Sequence, residues 1–106
     1  MEDEIPLSLR QLQYFTVVAE AGSVTRAAER LRISQPSLSQ QLRVLEATVG
    51  ATIFERRARG VALTPVGRAM LPAAKAALGA AADAMRTTDS RVKVASTAVS
   101  VANRIT

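Results

Sequence analysis

Amide, hydroxyl and guanidinium side chains cluster within one short stretch of this 106-residue chain. On a helical wheel of about 100° per residue, one side is formed by Pro36, Gln40 and Arg43, flanked by Ser37 and Ser39. Such side chains bond base edges in the major groove of DNA: glutamine bonds adenine, arginine bonds guanine, and hydroxyls bond either. The pattern predicts a DNA-binding face on a helix over residues 34–49. The alternative is the polar outer face of any amphipathic helix.

Two features of this helix favour nucleic acid over plain solvation. Its first dozen residues contain only Arg43 and Glu46 as charged residues, whereas a solvated face usually has several lysines and glutamates. Its start carries Ser34, Gln35 and Ser37, where unpaired backbone N–H groups attract a phosphate. For Ser34 the alternative is a helix cap and nothing more.

A second basic cluster, Arg56, Arg57 and Arg59, follows the helix within the charged segment 55–60. Alternate residues, here Arg57 and Arg59, could project the same way from the tip of a hairpin. An arginine at that point can enter the minor groove, where the negative potential is concentrated. The alternative is a solvated charged turn. We interpret the nearby acids Glu46 and Glu55 as structural, pairing with Arg56.

The overall charge also favours a polyanion as the partner. Twelve arginines and two lysines oppose nine acids for a net charge of +5, and residues 10–68 contain nine of the arginines against four acids. The chain has no histidine and no cysteine, so imidazole base catalysis, disulfides and thiolate metal sites are excluded. Its carboxylates are scattered and no glycine-rich phosphate loop occurs. We therefore expect no enzyme activity, no metal and no cofactor.

The hydrophobic pattern predicts a soluble intracellular protein rather than a secreted or membrane protein. The acidic start of the chain is no signal peptide, and no run of about 18 uncharged apolar residues exists. Only three aromatic residues are present, Tyr14, Phe15 and Phe54, against 48% hydrophobic residues, so the core must be aliphatic and rich in alanine.

Three helices are predicted ahead of the basic hairpin, and each begins at a serine N-cap. They run from Ser8 to Ala21, from Ser23 to about Arg32, and from Ser34 to Val49. Gly22 and Gly50 end the first and the third. In the second helix, Ala27 and Ala28 are small enough to let another helix cross closely. The second and third helices thus form a helix-turn-helix.

The segment after the third helix predicts a wing and then a long helix. Residues 52–54 and 61–63 are β-prone and flank the charged turn at 55–60. We therefore expect a mainly α fold, a winged helix-turn-helix made of three helices and a two-stranded β-hairpin. From Pro65 to about Thr88 a helix of roughly 36 Å follows.

The long helix is too long for its own small domain to cover. Apolar residues recur along it as in a heptad seam, and they are Leu71, Ala74, Leu78, Ala81 and Met85. Left in water this row would be a large exposed patch, so we predict a homodimer through this helix. The alternative is an exposed connector between domains. The tail alternates from about Arg91 to Ser96 like the opening of a strand.

Four segments in this order resemble the N-terminal domain of LysR-type transcriptional regulators. They read LRQLQYF (9–15), GSVTRAAERLRISQPSLSQQLRVLE (22–46), VG (49–50) and IFERRARGVALTPVG (53–67). The resemblance implies a bacterial regulator that binds a promoter palindrome as a dimer and responds to a small-molecule inducer. It implies a DNA-binding domain at 6–64, a linker helix at 65–90 that pairs antiparallel with its mate, and the first strand of a truncated effector domain at 91–106.

The resemblance also implies roles for individual residues. Base contacts fall on Gln35, Pro36, Ser39 and Gln40, to which the helical wheel adds Arg43, and the minor-groove residue is Arg59, beside Arg57. Contacts with the DNA backbone or capping roles fall on Arg10, Ser34, Ser37 and Thr64. Inducer binding and a tetramer are expected of the full-length protein alone.

Two alternatives stay open at this point. Another winged family with a dimerisation helix, such as the molybdate-responsive or MarR-type regulators, could carry the same elements. The hairpin, followed directly by Leu-Thr-Pro and a single long helix, argues against this alternative. The second alternative is a protein-interaction module that recruits a partner through its long helix and keeps the helix-turn-helix as a scaffold.

Overall fold

The computed structural model describes the backbone of residues 5–105 and the side chains of residues 5–87. The elements, in chain order, are α1 (Leu9–Ala21), α2 (Val24–Leu31), α3 (Gln35–Val49), β1 (Phe54–Arg57), β2 (Gly60–Leu63) and α4 (Pro65–Ile105). The strands form one antiparallel hairpin. The predicted fold class, a mainly helical winged helix-turn-helix with a long helix after it, is confirmed.

The predicted serine caps are also confirmed. The hydroxyls of Ser8, Ser23 and Ser34 each accept a hydrogen bond of 3.1–3.2 Å from the backbone N–H three residues further on. At α1 the bond is reciprocal, because the side chain of Gln11 accepts one from the Ser8 N–H, at 3.0 Å. These bonds satisfy backbone donors that a helix start leaves unpaired, so the helices begin where the serines stand.

The turn between α2 and α3 depends on one residue in the left-handed region. Arg32 has φ 57° and is the only non-glycine residue with a positive φ in the part of the chain that the structure describes. Backbone bonds to the carbonyls of Glu29 and Ala28 from Arg32 and Ile33 close the end of α2. This closure reverses the chain within three residues and sets α3 across α2.

The core consists of two clusters of buried residues, one on each side of α1 and α3. The first contains Val18, Ala27, Ala28, Leu38 and Leu42. The second contains Phe15, Leu45, Ile53 and Ala74. The alanine pair on α2 is buried as predicted, which allows α1 and α3 to pack closely on both sides of it. α3 therefore has one fully covered face.

The first hairpin strand lies further along the chain than predicted, and the second begins one residue earlier. Residues 55–57 belong to β1, so the prediction of a charged turn over 55–60 was wrong for its first half, and the turn is formed by Ala58 and Arg59. The reason is that Phe54 anchors the strand to the core, with its ring centroid 5.5 Å from that of Phe15. Charged residues beyond this anchor are exposed and can extend a strand in water.

β2 is held against the turn between α1 and α2. The Val61 N–H donates to the Gly22 carbonyl at 3.0 Å. Gly60 has φ 93°, and a Cβ there would overlap the same carbonyl oxygen. Only glycine fits such an approach without strain. The hairpin is thus attached to the helices near its tip, through Val61 and Gly22, and at its base, through Phe54 and Phe15.

α4 is one helix of 41 residues that continues through Pro72. The prediction of a strand over 91–96 was wrong, because the backbone there is helical. A helix satisfies its backbone hydrogen bonds within one segment, whereas a strand needs a neighbour, and both described strands are paired with each other. The division into domains at 64 and 90 stays a prediction. Within the described residues, none of the helices combines the length and apolar character needed to cross a bilayer.

Candidate nucleic-acid interface

The outer face of α3 is exposed, as the helical wheel predicts. On the inner side Leu38 and Leu45 are fully buried and Leu42 is 8% exposed. The opposite side consists of exposed or half-buried polar residues together with a proline, and we call Gln35, Pro36, Ser39, Gln40 and Arg43 the recognition face. The predicted orientation of α3 is therefore confirmed: hydrogen-bonding groups point away from the hydrophobic core.

Two glutamines of the recognition face are hydrogen-bonded to protein neighbours. Thr25 Oγ1 donates to Gln35 Oε1 at 3.1 Å, and Arg43 Nη2 donates to Gln40 Oε1 at 3.3 Å. The sequence does not indicate Thr25 as part of this face, because it lies on α2 and meets Gln35 only after the turn folds back.

The starts of α1 and α3 lie on either side of an open recess of about 740 Å³. Arg10 and Tyr14 line it from α1, and Ser34 and Ser37 line it from α3. The Ser34 hydroxyl donates to Ser37 Oγ at 2.8 Å while it caps the helix. The structure thus brings three of the predicted backbone-contacting residues together. A guanidinium, two hydroxyls and a helix start can bind an anion.

A groove of about 540 Å³ separates α3 from the hairpin. Gln35, Ser39 and Arg43 line it on the helix side, and Arg56 and Arg57 line it on the strand side. Part of the predicted helix group therefore faces Arg57 of the hairpin across this groove. Arg59 instead lines a separate recess beside Gly22 and Arg26. The groove can hold an extended polyanion between two walls that each carry arginine.

The acids near the groove pair differently from the prediction. Glu55 forms an exposed ion pair with Arg57 at 2.9 Å, and not with Arg56, because residues two apart on a strand share a side. Glu46 Oε2 instead accepts a hydrogen bond from the backbone N–H of Ile53 at 2.8 Å. Among the residues whose side chains are described, Arg59 has no acid within ion-pair distance. Within that part of the chain, no ion pair opposes its charge at the hairpin tip.

Thr64 has a structural role in this fold. Its hydroxyl donates to the Thr52 carbonyl at 2.7 Å and accepts from the Gly67 N–H at 3.1 Å. Both bonds tie the start of α4 to the segment before β1. Of the two roles predicted for Thr64, capping is confirmed, and a contact with the DNA backbone stays a prediction.

Only part of the predicted dimerisation seam is available for contact with a second chain. Ala74 is 2% exposed and packs against Phe15 and Ile53 in the chain's own core, so its assignment to a dimer interface was wrong. Leu71 is half-buried against the same cluster, whereas Met85 is 69% exposed. The first turns of α4 need an apolar face to dock on their own domain, and this produces the same spacing as a seam. No group of three potential metal-ligating side chains occurs among the described residues.

The fold and this surface together define a winged helix-turn-helix domain. Residues 9–68, more than half of the chain, match the family described as bacterial regulatory helix-turn-helix protein, lysR family. The chain therefore belongs to the lysR family and carries its helix-turn-helix DNA-binding domain. This sets aside the molybdate-responsive and MarR-type alternatives.

Relatives and solved structures agree with this assignment. The chain is 53% identical over 62 residues to the HTH-type transcriptional regulator TfdT of Cupriavidus pinatubonensis. The aligned region covers 58% of this chain and 27% of TfdT. The chain thus spans about a quarter of that relative's length. A CbnR DBD–DNA complex matches with a TM-score of 0.76 and 40% identity, covering 81% of this chain and 99% of the other. A BenM DBD/catB site 1 DNA complex matches with a TM-score of 0.73 and 38% identity, covering 82% and 97%.

Proposed function

We propose that this chain binds a promoter palindrome as the DNA-binding part of a bacterial transcription regulator, with α3 in the major groove. The observation that carries the proposal is the recognition face itself, which is polar, largely exposed and backed by a buried leucine row. The major groove admits one α-helix, and amide and guanidinium groups there discriminate between base pairs. The solved complexes of the CbnR and BenM domains with DNA support this proposal.

In the same complex the hairpin enters the adjacent minor groove. Arg59 lies at its tip and Arg57 one position before the turn. One phosphodiester strand always separates a major groove from the neighbouring minor groove. The groove between α3 and the hairpin, with Arg43 and Arg56 on its two walls, offers that strand a place to run.

The recess between α1 and α3 binds a backbone phosphate. Arg10 supplies a full positive charge there, and Ser34 and Ser37 supply hydroxyls at the positive end of a helix. Phosphate contacts of this kind fix the position of a protein on DNA but do not read its sequence. They therefore align the recognition face with the bases.

The homodimer forms through the free part of α4, the row of Leu78, Ala81 and Met85. Two copies of α3 then face successive major grooves, roughly 34 Å apart. We place the protein in the bacterial cytoplasm, without enzyme activity. A small-molecule inducer and a tetramer belong to the full-length regulator, of which this chain supplies the DNA-binding part.

Selection of duplexes from a random pool at low salt tests the proposal. We expect an enriched palindrome with half-sites about one helical turn apart. Gln40→Ala should then relax the base preference, while Arg10→Ala should weaken binding to native and scrambled sites alike. A purified chain that binds no duplex at low salt would contradict the proposal and favour the protein-interaction module.

A further inference from the structure

Two arginines from different elements line one open recess beside the tip of the hairpin. Arg26 lines it from the first turn of α2 and Arg59 from the hairpin turn, and the recess measures about 590 Å³. Among the described residues no acid lines it, and neither arginine has an acid within ion-pair distance. Within that part of the chain, two positive charges therefore share the recess without a counter-ion from the protein.

The backbone on both sides of the recess is bonded within the protein. The Val61 N–H donates to the Gly22 carbonyl at 3.0 Å, and Gly60, directly after Arg59, approaches the same carbonyl so closely that a Cβ would overlap it. On the opposite side, the Ser23 hydroxyl accepts from the Arg26 N–H at 3.2 Å and caps α2. The fold therefore sets the points from which the two guanidinium groups extend, although both side chains are exposed.

The hairpin tip separates this recess from the groove between α3 and the hairpin, because Gly60 and Val61 line both. Under the proposed function Arg59 enters the minor groove, which is only about 6 Å wide. The phosphates that border so narrow a groove lie close to any side chain inserted into it. Arg26, on the same recess as Arg59, is therefore placed beside the sugar–phosphate backbone at the edge of that groove.

We propose that Arg26 binds a backbone phosphate at the edge of the minor groove that Arg59 enters. The inference rests on the proposed function, since it assumes that the hairpin meets DNA in this way. A guanidinium is a planar fork of donors that matches phosphate oxygens, and its charge releases counterions from DNA. A phosphate there also offsets the repulsion between the two arginines. Such a contact strengthens binding to every duplex and reads no base.

Three substitutions in the 106-residue chain test this role, namely Arg26→Ala, Arg26→Lys and Arg30→Ala. Arg26→Ala removes the charge and keeps the cap, because the Ser23 hydroxyl bonds the backbone N–H of residue 26 and not its side chain. Arg26→Lys keeps the charge. Arg30 is the matched control, an exposed arginine one turn further along α2 and outside the lining of the recess. Thermal unfolding checks that all three variants are folded.

Fluorescence anisotropy with a duplex selected from a random pool, and with a scrambled duplex, measures binding over a range of salt concentrations. We expect Arg26→Ala to weaken binding to both duplexes alike, by about five- to tenfold at low salt, and to lower the slope of log affinity against log salt by about 1. Arg26→Lys should keep the slope. Arg30→Ala should change the affinity by less than about twofold, because its charge acts only through solvent and salt.

A second measurement replaces single phosphates of the selected duplex by neutral methylphosphonates. One such replacement, at the edge of the minor groove, should abolish the difference in affinity between the unchanged chain and Arg26→Ala. Equal effects of Arg26→Ala and Arg30→Ala, a loss confined to the selected duplex, or a scan in which no single phosphate accounts for the loss overturns this inference and leaves the proposed function standing. Failure of the unchanged chain to bind any duplex overturns both.

Discussion

Glu46 and Ile53 are joined by a hydrogen bond of 2.8 Å between a carboxylate oxygen and a backbone N–H. Glu46 belongs to α3 and Ile53 precedes the hairpin, so the bond links the recognition helix to the base of the wing. The carbonyl of Ile53 accepts from the Thr64 N–H at 3.1 Å, and its side chain is fully buried. Recognition helix, hairpin and α4 therefore meet at a single residue.

Replacing Glu46 should weaken this junction. We expect Glu46→Ala to lower the free energy of unfolding by about 1–3 kcal/mol, because it leaves a partly buried N–H without its partner. Glu46→Gln keeps an acceptor oxygen and should lose less. Urea unfolding measures both, and Glu29→Ala on the exposed side of α2 is the control. Equal stability of the Ala variant and the unchanged chain would contradict a structural role for this bond.

Two glycines of α4 should respond in opposite ways to alanine. A Cβ at Gly67 would overlap the Ile53 carbonyl oxygen, whereas a Cβ at Gly79 meets no atom within 4 Å. We expect Gly67→Ala to cost about 1–3 kcal/mol through overpacking. Gly79→Ala should stabilise by up to about 1 kcal/mol, since alanine favours a helix over glycine. Thermal unfolding of the two variants measures both changes in stability. An equal loss of stability in both variants would contradict the close approach at Gly67.

The two arginines near the hairpin tip should contribute unequally to DNA binding. Arg57 is already paired with Glu55, whereas Arg59 has no acid partner among the described side chains. Arg59→Ala should therefore weaken binding more than Arg57→Ala and should reduce the slope of log affinity against log salt by about 1. Fluorescence anisotropy with one duplex over a range of salt concentrations gives both slopes. An affinity that does not change with salt would count against phosphate contacts altogether.

The free part of α4 should control association of two chains. Met85 is 69% exposed and lies in the row assigned to the dimer. A charge buried at an apolar interface is costly, so Met85→Asp should shift the chain towards monomer. Ala80→Asp, at an exposed position on another side of the helix, should leave association unchanged. Sedimentation equilibrium measures the difference, and identical association in the two variants would place the interface elsewhere.

The parts of this fold that depend on neighbouring residues could be predicted from the sequence. Serine caps at Ser8, Ser23 and Ser34 mark helix starts because their hydroxyls bond backbone groups only three residues away. The orientation of α3 follows equally from its leucine spacing, since one helical period places those leucines on one face. These local rules were sufficient to predict the winged helix-turn-helix and its outer face.

Features that depend on which of two possible neighbours a segment packs against could not be predicted from the sequence. The spacing that includes Ala74 is the same whether a helix docks on its own domain or on a second chain, and only the packed structure distinguishes the two. The alternation after Arg91 is compatible with a strand, yet the preceding helix continues through it. Likewise the contact of Thr25 with Gln35 joins residues ten apart, which no helical or strand period brings together.

The contact of Gly60 and Val61 with the carbonyl of Gly22 has a consequence for how the domain meets its target. A hairpin fastened at both ends cannot swing to search for a groove, so the protein arrives with its two groove-binding elements at a preset separation. Any mismatch with the period of straight B-form DNA then has to be taken up by curvature of the duplex. Flexible pyrimidine–purine steps near the operator centre would lower the elastic cost of that curvature.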